Sequence, residues 1–383
     1  MRQNDPVTGG ISSAQQRAEL DRVSRLRYLI LAALAIACGV VAGGRGDWDV
    51  FASVGRSMLG SDGLSVYIHH PDVQTGPVSL VLARVLAITP RNGFVACALL
   101  CAVLGLIAIR CLEKAQRPDR ASENRSASFT TLLGGLVVVF WWAKLGGYGH
   151  LDDALVLTSA AAAMLCVRRD RGALAAVLIG IAIATKPWAV ILVPLTFGTV
   201  GPLWKRIQPP LISCVVGGCL WLPFFIAEPH TLRALKPTVN VAPDSVLAVF
   251  GLANNSIPGW LRIAQLLGAL ALATLVVWRG RYGGVLLAAV AVRMATDPAT
   301  WSYYTVGFML GALAWDLYET NSITPKATWC AAVLLLPPWL IPWDDVRAIT
   351  RLVACLAAVV LVMAERTSTV RWRFTNAERA HVA

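Results

Sequence analysis

Long unbroken apolar blocks constrain this chain more than any other feature. Runs of about 15 to 22 apolar residues recur along it, close to the ~20 that a helix needs to cross the hydrocarbon core of a bilayer. They fall at roughly 28–44, 91–111, 128–145, 153–168, 207–226, 260–278, 283–297, 303–318, 327–342 and 347–364, with two shorter pieces, 172–185 and 187–203, on either side of Lys186-Pro187. Of the 383 residues, 56% are hydrophobic and only 15% charged, and the mean hydropathy is +0.61. A soluble domain of this size cannot hide so much apolar surface. Transmembrane β-strands would alternate with period two, and these blocks do not. The expected class is all-α: one polytopic integral membrane domain over 1–383, with about twelve transmembrane helices.

Charge gives these blocks a direction. The net charge of +12 would suit a nucleic-acid partner if it were gathered on one polar surface, but it lies between the blocks. Counting from an inner N-terminus, one set of connections comprises 1–27, 110–125, Arg168 to Arg171, Lys205-Arg206, Arg279 to Arg281, Lys326 and 365–383. These hold 22 of the 34 Lys and Arg residues and, with Asp316 and Glu319 ahead of Lys326 counted in, 11 of the 22 acids. Positive connections stay inside, so 1–27 and 365–383 read as cytoplasmic tails and no cleavable leader is expected. No nucleic acid is expected as a partner; membrane lipid is. The segment 77–90, PVSLVLARVLAITP, is short, carries Arg84 at its centre and ends at Pro90. Counting it as a span would place 110–125 outside, so it is expected to lie as an interfacial helix within the first extracytoplasmic loop, 45–90.

The outer connections carry the chemistry-bearing residues. Asp47 and Asp49 follow the first block in GRGDWDVF, with Trp48, Val50 and Phe51 interleaved. That pattern fits a partly buried turn, where a carboxylate can act as general base, although acids after a helix end are also often merely solvated. Their D-x-D spacing could hold a divalent cation, but two acids are a weak metal signal, so no metal or cofactor is expected. His150, Asp152 and Asp153 open a block beside Gly146, Gly147 and Gly149; helix capping would explain the acids, and substrate positioning is the sharper reading. Arg293 lies inside an apolar block four residues before Asp297; that is the spacing of an ion pair on one helix face, and the sharper reading is a cation for a donor phosphate with Asp297 positioning substrate. Lys186 sits between two short apolar pieces and must snorkel, pair with an acid or meet an anion such as a lipid phosphate. Trp301, Tyr303 and Tyr304 fit an interfacial aromatic belt, or a stacking surface for a sugar ring. A third loop, 227–259, holds His230, Lys236 and Asp244. The nine cysteines lie in or beside apolar blocks without metal-ligand spacing and read as small packed residues.

These residues, in this order, resemble a known family. An acid after span one, then an aromatic and a long loop with a tyrosine and a proline turn, is similar to its D-x-x-V-Y…L-x-G…L-Y…P-P pattern. Here the stretch reads DWDVF…MLGSDGLSVY…QTGPVSLVLARVLA, and GHLDDALVL, LIGIAIATKPWAVILVPL and DPATWSYY resemble downstream spans. The family is the glycosyltransferase-C superfamily, and the nearest likeness, over most of 28–320, is to polyprenol-phosphate-mannose-dependent mannosyltransferases of actinobacterial envelopes. The resemblance implies a plasma-membrane enzyme with its site outside the cytoplasm. Such an enzyme moves a sugar, mannose before others, from a polyprenyl-phosphate donor to a glycolipid or glycan acceptor by inverting displacement. It implies Asp47 as general base and Lys186 for the Lys-Pro between paired short helices. Phe51 stands where the family usually has Tyr, Gly76-Pro77 where it has a double proline, and Tyr303-Tyr304 where some members carry a late His. A polyprenyl-lipid flippase or small-solute transporter is the rival class, because Arg293 and the break at Lys186-Pro187 would suit one. A relative that only binds the lipid is a third.

Overall fold

The computed structural model describes residues 13–41, 44, 46–87, 90–116, 124–198, 202–233, 239–253, 256–301, 303–320, 322–336 and 340–364. Lys236, position 119 and the tail 365–383 lie outside these. Among the described residues there is no β-strand; Asn240 and Ser256 form a single antiparallel bridge. Everything else of length is helical. The helices are α1 (Ser13–Val41), α2 (Trp48–Met58), α3 (Val66–His69), α4 (Pro77–Leu86), α5 (Pro90–Lys114), α6 (Asn124–Tyr148), α7 (Leu151–Arg168) and α8 (Gly172–Thr185). After a 3-10 helix, Pro187–Gly198, come α9 (Leu203–Ala227), α10 (Val246–Val249), α11 (Gly259–Trp278), α12 (Val285–Thr296), α13 (Tyr304–Glu319), α14 (Lys326–Leu334) and α15 (Asp344–Met363).

The helices sort by what surrounds them. α7, α12 and α13 are apolar nearly all round and buried along their length, so they form the centre. Ala154, Ala160, Ala161 and Ala163 of α7 are fully buried, and such small side chains let neighbouring backbones come close. The peripheral helices turn apolar rows outward: Val95, Leu99 and Val103 on α5, Ile263 and Leu267 on α11, Val353, Leu356 and Val360 on α15. Exposed apolar surface on this scale has no place in water and marks a membrane-embedded protein. Among the described residues five helices, not the twelve expected, are long and apolar enough by themselves to cross a bilayer: Asn92–Lys114, Ala127–Tyr148, Leu203–Ala227, Gly259–Trp278 and Asp344–Met363. On α11, Trp260 and Trp278 are 65% and 86% exposed, and eighteen residues at 1.5 Å each separate them by about 27 Å, the spacing of two interfaces.

Several boundaries differ from the sequence reading. α1 begins at Ser13, so half of the supposed tail 1–27 is helix. The block expected over 187–203 is a 3-10 helix ending at Gly198, with Pro194 inside it. The block expected over 327–342 is α-helical only to Leu334, because Pro337 and Pro338 cannot donate and exclude helical backbone before them. Cys214, Cys219 and Cys330 are exposed on outward faces rather than buried. The first loop, where interfacial helices were expected, carries three short α-helices, α2 to α4. α4, with 10 residues, rises only about 15 Å; it buries Leu80 and Ala83 and exposes Val81 and Val85, the form expected of an interfacial helix.

The break at Lys186-Pro187 positions the site. Pro187 has no N–H, so the carbonyl of Ile183 loses its helical partner, and the Trp221 indole of α9 donates to it at 3.3 Å. Two residues on, the Thr185 carbonyl accepts from the Gly76 N–H at 2.7 Å, the Ser79 hydroxyl at 3.0 Å and the Thr75 hydroxyl at 3.4 Å. The first loop is thereby fastened to the end of α8. Gly76 is required for that approach, since a Cβ there would lie 2.1 Å from the Ala184 carbonyl oxygen.

Candidate active site

The turn between α6 and α7 brings the polar residues together. Gly149 has φ +79°, and a Cβ on it would lie 2.5 Å from Trp48, so α2 rests directly on the turn. The Asp47 N–H donates to the Tyr148 carbonyl at 3.0 Å, which fixes the start of α2 over His150. Trp48 is buried and Phe51 half-buried beneath it, as the sequence pattern implied, while Val50 faces outward.

His150 is the hub. Its Nε2 lies 3.0 Å from Asp47 Oδ2, and its Nδ1 lies 3.4 Å from Asp152 Oδ1 and 3.7 Å from Asp153 Oδ2. The ring packs at 3.6 Å between centroids on Tyr303, with Phe51 edge-on at 5.7 Å. Both nitrogens are buried and neither makes a well-angled hydrogen bond, so ion pairing and ring packing hold the imidazole. Burial pulls the His150 pKa down, but Asp152 and Asp47 raise it further, and the net value stands above the ordinary 6.5. The imidazole in turn holds the Asp47 carboxyl below its ordinary 3.8, against the opposing effect of partial burial. The Asp47 side chain keeps 54% exposure, which leaves it a face for an incoming group.

Behind the histidine the acids are paired. Lys186 Nζ lies 2.8 Å from Asp152 Oδ2 and 2.6 Å from Asp153 Oδ2, and the Trp188 indole donates to Asp153 Oδ1 at 3.0 Å. Asp152 also accepts the Asp153 N–H at 2.8 Å. Of the three fates open to Lys186, pairing with acids is the one adopted here. Ligand atoms of His150, Asp152 and Asp153 lie within 4.8 Å of one another, as in a three-donor metal site. A divalent ion on the two carboxylates would have to displace the lysine ammonium. Asp49 is not part of the cluster: it is exposed on α2, and its side chain has no ion-pair partner among the described residues.

Lys186 also borders a cavity of about 240 Å³ between α11, α12 and the 3-10 helix. Arg293 stands in its wall with its guanidinium 4.2 Å from the Trp188 ring centroid and 4.5 Å from that of Tyr304. Its Nε is 3.6 Å from Asp297 Oδ2, so the i, i+4 pair expected from the sequence forms. Arg262 approaches the same carboxylate from α11, with 3.7 Å between Nη1 and Oδ1. Gln265 donates to the Arg293 carbonyl at 3.1 Å. Trp301 stacks parallel to Tyr303 at 6.3 Å and turns its other face outward. Through Tyr303 and Tyr304 the cavity adjoins the Asp47–His150 pair.

The structure thus gathers Asp47, His150, Asp152, Asp153, Lys186 and Tyr303 in one cluster. Arg293, Asp297, Trp301 and Tyr304 line the cavity beside it, and Asp49 stays apart. Arg262, Gln265 and Trp188 were missed in the sequence. Their signal was present: Arg262 and Gln265 share a helix face in the first turns of an apolar span, and Trp188 follows the Lys-Pro break. No family model, curated protein or solved structure matches the chain.

Proposed function

We propose that this protein is a multi-pass membrane glycosyltransferase with about twelve passes, moving a sugar from a polyprenyl-phosphate donor to an acceptor hydroxyl outside the cytoplasm. The observation that carries the reading is a half-exposed carboxylate, Asp47, held 3.0 Å from a buried histidine that packs on Tyr303, whose neighbour Tyr304 lines a cavity with two arginines and two tryptophans. In this scheme the acceptor oxygen attacks the anomeric carbon while Asp47 takes its proton. The carbon–oxygen bond to the donor phosphate breaks on the opposite side, and the configuration inverts. The phosphate leaves carrying the electron pair, with Arg293 and Arg262 placed to stabilise that charge. His150 fixes one Asp47 oxygen, and Lys186 pairs with the two acids behind His150. Mannose is the first sugar to test and a glycolipid or glycan the first acceptor class.

The test is sugar transfer by purified full-length protein in detergent, from defined polyprenyl-phosphate sugars. Asp47→Asn should lose transfer by about 10² to 10⁴, the usual contribution of a general base. Asp49→Asn should transfer at nearly the wild-type rate. Full activity in Asp47→Asn would remove this residue from the mechanism. Transport of the lipid or of a small solute across vesicles, without any transfer, would favour the flippase or transporter class.

A further inference from the structure

The cavity's charge count is unusual. Arg262 and Arg293 share one carboxylate, Asp297, so the trio carries one net positive charge. Neither arginine closes a fork onto the acid: the contacts are 3.7 and 3.6 Å, longer than the about 2.7–2.9 Å of a charge-assisted hydrogen bond. Asp297 Oδ1 is engaged instead by the Ala299 N–H at 3.1 Å. Arg293 is 9% exposed, and among the described residues no acceptor meets its two terminal nitrogens. A buried guanidinium in a cavity wall, with its faces on the Trp188 and Tyr304 rings and its terminal nitrogens without a protein acceptor, has the chemistry to receive an anion. Next to it, Asp47, Asp152 and Asp153 outweigh Lys186, even with His150 charged, so the neighbourhood penalises any surplus negative charge.

We propose that Asp297 sets the charge class of the ligand, so that the two-arginine cavity selects a singly charged phosphodiester over phosphate monoesters and diphosphates. The inference rests on the donor proposed above and adds to it. A phosphodiester carries one negative charge and matches the trio. A monoester carries about −1.5 to −2 at pH 7 and a diphosphate more. The same mismatch drives release: transfer breaks the carbon–oxygen bond and turns the bound diester into a monoester. The apolar wall of the cavity, Val190, Ile191 and Leu266, continues toward exposed Ile263 and Leu267 on α11 and gives a lipid-linked diester a path for its tail.

The experiment is competition binding to the purified full chain at pH 7, with four probes. These are a short-chain polyprenyl phosphodiester sugar, the corresponding monophosphate, the corresponding diphosphate, and a water-soluble methyl phosphodiester of the same sugar. The lipid diester should bind at least about tenfold tighter than monophosphate or diphosphate, a difference of about 1.4 kcal/mol. Asp297→Asn raises the trio to two positive charges and should shift the ratio toward the diphosphate by about tenfold or more. Arg262→Gln, at a part-exposed position, lowers it to zero and should weaken the diester by about 10- to 100-fold. The soluble diester should keep the charge preference with lower affinity; equal affinity would assign the site to soluble diesters. A wild type that prefers diphosphate, or an Asp297→Asn ratio equal to wild type, overturns the proposal. If Asp297→Asn does not fold, Arg262→Gln decides: unchanged diester binding there also overturns it. Selective binding without sugar transfer would defeat the transferase reading alone, and transfer from a diphosphate-linked donor would defeat this one alone.

Discussion

At the residue scale the governing fact is that Asp47 and His150 shift each other's protonation in opposite senses. Asp47 is held below its ordinary 3.8, so its favourable contribution is present above that value and is lost as the pH falls through the lowered one. His150 is raised above 6.5, so its contribution is full below 6.5 and disappears as the pH rises through the raised one. The pair is therefore intact between those limits, and transfer should be greatest there. His150→Phe removes the cation, and the acid limb of the pH–rate profile should move upward toward the ordinary carboxylate range. A profile unchanged by that substitution would show that the histidine does not govern Asp47. Lys186 invites a different test. Removing it strands two buried carboxylates, so Lys186→Ala should destabilise the protein by about 3–5 kcal/mol, read as a lower denaturation midpoint. Melting unchanged from wild type would argue that the ammonium is free for other work. The sequence left Lys186 three fates and could not choose among them, because Asp152 and Asp153 lie more than thirty residues away and meet it only through the packing of α7 on α8.

At the element scale, the break after α8 is the joint of the molecule. A proline and a change from α to 3-10 geometry leave carbonyls to be paired, and α9 and the first loop supply the donors. Gly76→Ala pushes a methyl into the Ala184 carbonyl and should cost about 1–3 kcal/mol, while opening the 45–90 region to proteases. Loss of stability without that opening would mean the loop is held by other contacts, such as the ring cluster of Tyr67, Trp221 and Phe224. At the far end of the third loop, Asp244 pairs with Arg347 at 3.1 Å, and Arg351 donates to the Thr300 carbonyl at 3.1 Å. With the Ala242 N–H on the Pro298 carbonyl, these contacts tie the segment after α12 to α15. None of the three residue pairs shares a segment, so no local pattern announced them.

At the scale of the whole molecule, the charge asymmetry makes the firmest prediction. An impermeant thiol reagent added to cells should label Asp62→Cys, on the same side as Asp47, and should not label Asp119→Cys until the membrane is opened. Labelling of the second from outside would invert the orientation and move the acids to the cytoplasm. The opposite end carries the basic contacts expected of an inner surface. Arg27 pairs with Glu113 at 2.9 Å beside Tyr28, and Arg279 donates to the Met363 carbonyl at 2.7 Å.

What the sequence determined was the class of the chain. Block length, the lack of period-two alternation and the placement of Lys and Arg settle that this is an all-α chain built for a bilayer, because burial of apolar surface and the cost of charge in hydrocarbon are local properties of composition. The short α4, the Arg293–Asp297 pair and the buried Trp48 followed from spacing alone. The tertiary structure decided which polar groups face one another. His150 joins Asp47 to Asp152 because Gly149 lets α2 settle on the turn, and Arg262 joins Arg293 because α11 lies against α12. The partners that join these separate elements are set by the crossing of helices distant in the chain, and a single sequence carries no record of that distance.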